Sequence, residues 1–335
     1  MNRITIIAEA GVNHNGKIKS AKKLIDLAAK SGSDYIKFQY YKTKSLVSSD
    51  AKLAPYQKKN LKKKISQLDM LTKYELKKKD IETLYEYSKK KKIKFLCTPF
   101  DIESAKHLTK MGIREFKIAS PDLDNFPLIK FVSKKAKKIF FSTGMSNLED
   151  IKRTMKFISR LGVKKKSMCL MHCTSDYPAK INELNLLAIS LFLEKFKLNV
   201  GYSDHTIGNN ASMIAVALGA RVIEKHITLN KKMSGPDHKI SMEYKDFKNF
   251  VICLRETATM IGKKEKKITL TEKKNFKSIK RSIYLTKDIK LGKKFVIEDF
   301  ECKRPSSVKK LINWDKILGS KARKNYKSGE LFKWA

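Results

Sequence analysis

Short apolar runs alternate with amphipathic stretches along most of this chain, and that alternation restricts its fold more than any other feature. The strand-like runs fall at residues 4–9, 35–40, 94–98, 116–120, 138–143, 168–174, 199–204 and 222–228. Between them, the spacing of apolar residues predicts helices at Ser20–Lys30, Glu75–Lys90, Ile102–Lys110, Phe126–Lys135, Leu148–Arg160, Leu184–Glu194 and Asn210–Leu218. Nearly continuous apolar strands read as parallel strands covered on both faces. Eight strand–helix units across residues 4–265 match the usual length of a (β/α)8 TIM barrel, an α/β fold; a doubly wound sheet is the other arrangement the pattern allows. Residues 41–74 interrupt the rhythm after the second strand and read as a loop over the barrel mouth.

Beyond residue 265 the character changes. The polar, basic stretch at 266–279 reads as a linker, and 280–335 as a separate small domain. Its strand candidates are Arg281–Leu285, Lys287–Gly292 and Phe300–Lys303. No internal repeat of solenoid period is present.

Lysine and arginine outnumber acidic residues 74 to 33, a formal net charge of +41. Such an excess invites a nucleic-acid reading, yet only nine of these cations are arginines. Readers of phosphates and bases lean on arginine's planar fork. The lysine runs Lys62–Lys64, Lys77–Lys79, Lys89–Lys92 and Lys134–Lys138 fall on expected helix surfaces and turns, so the expectation is a solvated surface and no nucleic-acid partner. A field of this sign would at most draw in anionic substrates. No apolar run reaches the roughly 18–20 residues of a membrane span, and Met1–Thr5 leads straight into a strand-like run, so no signal peptide is expected. The five cysteines are odd in number and contain no CxxC pair. That pattern argues for a reduced, cytoplasmic setting.

The ends of the strands carry the chemistry. Glu9 closes the first strand; Lys37 and Gln39 lie on the second; Thr98 ends the third. Lys117 and Ser120 mark the fourth, Ser142 the fifth, Ser175 and Tyr177 the sixth, Ser203 and His205 the seventh, and Glu224 and His226 the eighth. In this fold the C-terminal rim holds the active site. One serine at a strand end is ordinarily a helix cap, but eight loaded rims exceed what capping explains. Lys37, Lys117, Ser120, Ser142, Ser175 and Ser203 suit a small polyanion bearing a phosphate and a carboxylate. A Schiff-base lysine is the alternative use of such a cation. Adjacent strands lie about 4.8 Å apart, so His205 and His226 are placed to share one metal ion with open positions for substrate. His172 is a weaker third ligand candidate, and Cys173 reads as barrel packing.

These residues stand in segments that resemble the sialic acid synthase family: IIAEAGVNHNG (6–16), IKFQ (36–39), CTPFD (97–101), FKIASPDLDNFPLI (116–129), STGM (142–145), HCTSDYP (172–178), GYSDHT (201–206), EKHIT (224–228) and GPDHKIS (235–241). The stretch RSIYLTKDIKLG (281–292) followed by KRP (303–305) is similar to that family's antifreeze-protein-like, β-clip (SAF) domain. The resemblance implies a metal-assisted condensation of phosphoenolpyruvate with an N-acetylated hexose, N-acetylmannosamine or a close relative. The products would be a nine-carbon 2-keto acid of the N-acetylneuraminate or legionaminate type, and phosphate. It implies Mn2+ or Mg2+ on His205 and His226, and Glu9 as acid/base. Phosphoenolpyruvate would lie among Lys37, Lys117, Ser120, Ser142, Ser175 and Ser203, the sugar beside Glu9, Gln39, Tyr177 and Asp237, and Thr98 would be a further substrate-binding residue. It also implies a homodimer with swapped small domains, in which Arg304 reaches the sugar of the partner. Two other readings stay open on the residues alone: another phosphoenolpyruvate-dependent aldol-type synthase, and a basic nucleic-acid-binding protein. The chain departs from the family at Ser306-Ser307-Val308 after KRP, where glycine is usual, at Asp122, where glutamate is common, and in a tail that ends early at Trp334-Ala335.

Overall fold

The computed structural model describes residues 4–61, 65–306 and 313–333. Met1–Arg3, the Lys62–Lys64 run, Ser307 and Val308, and Trp334-Ala335 lie outside the described residues. The chain divides into two compact units, Met1–Gly262 and Lys263–Ala335.

All eight expected barrel strands form in the first unit: β1 Thr5–Gly11, β2 Tyr35–Tyr40, β3 Lys94–Pro99, β4 Glu115–Ile118, β5 Lys138–Ser142, β6 Met168–Cys173, β7 Asn199–Asp204 and β8 Val222–His226. Each pairs in parallel with the next, and β8 pairs back onto β1 to close the barrel. Closure excludes the doubly wound sheet, which would leave two open edges.

The alternation of side chains along each strand sorts the sequence into three layers. Outward residues such as Ile6, Ile36, Phe116, Phe141, Val200 and Ile223 pack into the main core. Inward residues first form an apolar plug of Ile7, Tyr35, Leu96, Phe140, Cys169, Met171 and Val222. Two residues further along the strands the inward set turns polar: Glu9, Lys37, Thr98, Ser142 and Glu224, all buried. The floor of the mouth is thus largely apolar, and its walls are charged. Gly201 of β7 faces Val222 in register. A Cβ at Gly201 would sit 2.7 Å from the Val222 carbonyl oxygen, so glycine allows β7 and β8 to approach closely below the two histidines they carry.

The insertion at 41–74 is more structured than a loop. It holds helices Thr43–Leu46, Pro55–Leu61 and Gln67–Tyr74. Leu61, Met70 and Tyr74 pack with Val12 in a small apolar cluster of their own, and Ser66 caps the third helix by accepting from the Asp69 N–H. The segment 266–279 likewise carries a helix, Leu270–Ile279, started by a Thr269–Glu272 capping box.

In the second unit, β9 (Ser282–Leu285) and β10 (Phe300–Lys303) pair antiparallel. Ile283, Leu285, Ile289, Phe295, Phe300, Tyr326 and Phe332 form its core. The expected strand Lys287–Gly292 contributes only an isolated bridge between Ile289 and Tyr326. The described lysines of the runs at 77–79 and 89–92 are exposed. All five cysteines are free thiols. Among the described residues, no helix is long and apolar enough to cross a membrane.

Candidate active site

Two lysines meet one carboxylate inside the mouth. Glu224 Oε2 accepts from Lys117 Nζ at 2.8 Å. Its Oε1 lies 3.2 Å from Lys37 Nζ and accepts from Ser203 Oγ at 2.9 Å. Lys37 Nζ also lies 3.3 Å from Glu9 Oε2 and 3.5 Å from Thr98 Oγ1. Lys37 and Lys117 are 5% and 2% exposed, a depth at which an unpaired ammonium is costly. Burial pulls the pKa of Lys37 down, but Glu224 and then Glu9 pull harder, and the net shift is upward. Lys117 shifts downward, because burial and the charge of Lys37 outweigh Glu224. Burial would neutralise Glu224, yet the two lysines overcome it and hold the carboxylate well below its usual range. Sequence reasoning placed Glu224 beside the histidines and gave it no partner among the lysines.

Glu9 behaves differently. Burial raises its pKa to about 7, with Lys37 opposing and Glu224 adding to the rise. Gln39 Nε2 donates to its Oε1 at 3.4 Å. Burial alone takes Asp237 to about 7 as well.

The two histidines at the ends of β7 and β8 come together, with ring centroids 5.6 Å apart. His205 Nδ1 lies 2.7 Å from the Thr174 carbonyl oxygen. Donation of that N–H leaves Nε2 as the lone-pair nitrogen, 3.4 Å from Ser203 Oγ. His226 Nδ1 is buried with no hydrogen-bond partner among the described residues; Asp237 Oδ2 is 4.0 Å away. Burial lowers the pKa of His205 to about 4. Burial and then His205 hold His226 well below the usual imidazole range. Both rings are therefore neutral at physiological pH, the form that ligates metals. Among the described residues no cluster of three or more His, Cys, Asp or Glu side chains is arranged for a metal. The pair fits an ion that leaves most of its positions to water and substrate.

Hydroxyls converge on Gly144, in the loop after β5. Its N–H donates to Ser120 Oγ at 3.0 Å. A Cβ there would lie 2.2 Å from Ser175 Oγ and 2.9 Å from both Ser120 Oγ and Cys173 Sγ. Glycine is thus what lets Ser120 and Ser175 face each other over a bare backbone amide. Cys173 does more than fill space, since its Sγ is 3.1 Å from Ser120 Oγ. Ser142 is buried at the end of β5.

Asn13 ties the β1 and β8 loops together, donating to the Ile227 carbonyl (2.9 Å) and to Ser241 Oγ (2.8 Å). Ser241 Oγ donates in turn to the Asp237 carbonyl at 2.6 Å. The insertion also reaches the mouth. Asn60 Nδ2 donates to the Pro236 carbonyl at 2.7 Å, and the Tyr56 ring lies 4.6 Å from that of Tyr177. Tyr177 stacks on His205, with centroids 4.2 Å apart. Nothing in the sequence singled out Tyr56 or Asn60, and Gly144 stood there only as part of STGM at the end of the fifth strand. His172 is not part of this assembly: its Nε2 lies 2.7 Å from the Leu184 carbonyl oxygen and its ring packs on Tyr202 and Phe192. Asp122 is buried, with Asn125 donating to its Oδ1. Arg304 is exposed and belongs to the second unit.

A closed barrel with buried lysines, hydroxyls and paired imidazoles at the C-terminal ends of its strands carries these groups where barrel enzymes carry their active sites. Residues 24–266 match the NeuB family, and residues 280–335 match the SAF domain. The chain belongs to the NeuB family. It is 45% identical to the N,N'-diacetyllegionaminic acid synthase of Campylobacter jejuni serotype O:2 over 333 residues, covering 99% of this chain and all of that one. It is 34% identical to the pseudaminic acid synthase of the same organism, covering 99% and 96%. Among solved structures, the N-acetylneuraminic acid (sialic acid) synthetase of Leptospira borgpetersenii, in complex with citrate, superposes with a TM-score of 0.73 at 30% identity. That superposition covers 82% of this chain and 90% of the other.

Proposed function

We propose that this mouth joins phosphoenolpyruvate to a six-carbon N-acetylated aldehyde sugar of the legionaminate series. The chain is a synthase of nine-carbon 2-keto sugar acids. Carbon 3 of phosphoenolpyruvate attacks the sugar aldehyde, water adds at carbon 2, and the carbon–oxygen bond to phosphate breaks. The observation that carries the reading is that Glu224 accepts from Lys117 and Ser203 and lies 3.2 Å from Lys37, while Ser203 Oγ lies 3.4 Å from His205 Nε2, so the anion-binding lysines and the paired imidazoles share one opening.

Each residue's part follows from its environment. Lys37 and Lys117 neutralise the carboxylate and phosphate of the incoming anion. Ser120, Ser142, Ser175 and Ser203 donate to its oxygens, and Thr98 steadies Lys37. Glu224 fixes both ammonium groups so that little reorganisation is needed when the substrate arrives. Glu9, holding its proton up to about 7, is matched to shuttle a proton at the aldehyde oxygen or the attacking water near neutral pH. Gln39, Tyr177 and Asp237 line the sugar side. His205 and His226 would hold a divalent ion, Mn2+ or Mg2+, which when bound polarises the aldehyde carbonyl. The finer sugar assignment rests on the 45% identity to a diacetyllegionaminic acid synthase. A swapped homodimer, in which Arg304 serves a second copy's barrel, and a cytoplasmic setting for the five free thiols complete the reading.

Phosphate release from phosphoenolpyruvate, measured against a panel of singly and doubly N-acetylated hexoses, tests it. Release should depend on the sugar, favour the doubly acetylated acceptor and stop with chelator. Release from none of them would refute the synthase. Full rates with chelator, or in His226→Ala, would refute the metal.

A further inference from the structure

We infer that Lys225 and Asp204, on the outer face of the barrel wall, are the positioning pair that sets the two imidazoles. Strand alternation turns Glu224 and His226 into the mouth and Lys225, between them, outward. On β7 it turns Asp204 outward between Ser203 and His205. The two outward residues are register partners. Lys225 Nζ lies 2.9 Å from Asp204 Oδ2, with side chains only 1% and 0% exposed. The same ammonium donates to the Thr206 carbonyl at 2.6 Å. Asp204 Oδ1 accepts from the Thr206 N–H and Oγ1, both at 2.8 Å, and Oδ2 accepts from Ser212 Oγ at 2.6 Å. His205 is therefore gripped on both sides, at Asp204 and at Thr206, by a side chain rooted one residue before His226.

A buried ion pair is an expensive way to stabilise a wall that aliphatic residues would fill as well. What this one secures is geometry. It ties the end of β7 to the end of β8 at the level where the two imidazoles emerge; among the described residues its side chains bond to each other, Thr206 and Ser212, and to none of the lysines and serines assigned to the anion. Removing it should loosen the spacing of the histidines and leave the anion clamp intact.

This inference rests on the reading of His205 and His226 as metal ligands, and its test separates the two. Mn2+ is titrated into metal-stripped, full-length wild type, Lys225→Met, Lys225→Arg and Ser212→Ala, with free Mn2+ followed by electron paramagnetic resonance. Lys225→Met should bind Mn2+ roughly 10- to 100-fold more weakly, the usual cost of losing a group behind a metal ligand. Its KM for phosphoenolpyruvate, at saturating metal, should stay within about twofold of wild type, since the anion clamp is spared. Lys225→Arg, which keeps the charge and donors, should recover most of the affinity. Ser212→Ala removes one bond to Asp204 and should shift it in the same direction by less; it carries the test if Lys225→Met does not fold. Wild-type Mn2+ affinity in the folded variants would overturn the positioning pair alone. A KM for phosphoenolpyruvate that rises in step with the lost metal affinity would overturn it too, as general loosening. Absence of Mn2+ binding in the wild type would overturn both readings.

Discussion

Lys37 and Lys117 lie as deep in the mouth as His226 and Asp237, all four at 7% exposure or less, yet burial acts differently on the two pairs. Between the lysines, Glu224 answers burial with opposite charge, and the cluster stays ionised. Around the histidines burial outweighs the pull of Glu224: His205 and His226 lose their protons, and Asp237 keeps its own up to about 7. One cluster is a fixed electrostatic cradle, paid for during folding. The other is a set of neutral donors and acids, suited to a cation, an uncharged sugar and proton transfer near pH 7. Glu9 stands at the border, 3.3 Å from Lys37 yet raised to about 7. The lesson is that depth alone does not set chemistry; the presence of a counter-charge at the same depth does.

Glu9→Gln should break the comparison most sharply. If Glu9 belongs with the proton-transferring cluster, kcat falls by about 10²- to 10⁴-fold with little change in either KM. The limb of the kcat–pH profile near 7 should vanish in the variant and survive in Asp237→Asn. A profile unchanged by Glu9→Gln would return Glu9 to the ionised cluster as a mere counter-ion.

Lys117→Met should come next, lowering kcat/KM for phosphoenolpyruvate by about 10²- to 10³-fold while leaving the KM for the sugar near that of wild type. Glu224→Gln tests the counter-charge itself and should cost roughly tenfold in phosphoenolpyruvate affinity, in the range for breaking one charge-assisted contact. The sign of its pH dependence is fixed. Lys117 is already depressed by burial and by Lys37, with Glu224 pulling it up. Without Glu224 it sheds its proton at lower pH, so the KM for phosphoenolpyruvate should begin to climb at lower pH than in wild type. Parallel KM–pH curves would mean that Glu224 does not sustain the charge.

Much of this was legible in the chain before folding. The eight strands announce themselves as apolar runs because parallel barrel strands are covered on both faces. The polar strand ends follow because the inward face turns from plug to mouth within two residues. Counting in twos would also have sent His172 outward, since Met171 and Cys173 face in. The lysine partners of Glu224 were not legible. Its contact with Lys117 spans 107 positions from β8 to β4 across the barrel, and local spacing carries no record of which inward side chains meet over the axis. The insertion escaped because its helices are too short to show a period. In the second unit, the alternation at Lys287–Gly292 gave only a bridge, since one apolar residue there, Ile289, is buried and Leu291 is exposed.

Tyr56 offers the smallest and most selective test of the neutral cluster. It sits on the insertion, half-buried, with its ring on Tyr177, which stacks in turn on His205. Because burial outweighs counter-charge in the neutral cluster, its shape depends on packing, and this aromatic column reaches it from the insertion. Aromatic pairs contribute about 0.5–1.5 kcal/mol beyond their buried area. Tyr56→Ala should therefore raise the KM for the sugar roughly 2- to 10-fold and leave the KM for phosphoenolpyruvate unchanged, because the lysine cluster is held by charge and not by this stack. Tyr56→Phe should match wild type, since among the described residues the hydroxyl's hydrogen bond is the one it accepts from Gln57 Nε2 at 3.3 Å. Equal rises in both KM values would show that the two clusters share one packing unit, and the contrast between charge-held and packing-held walls would fail.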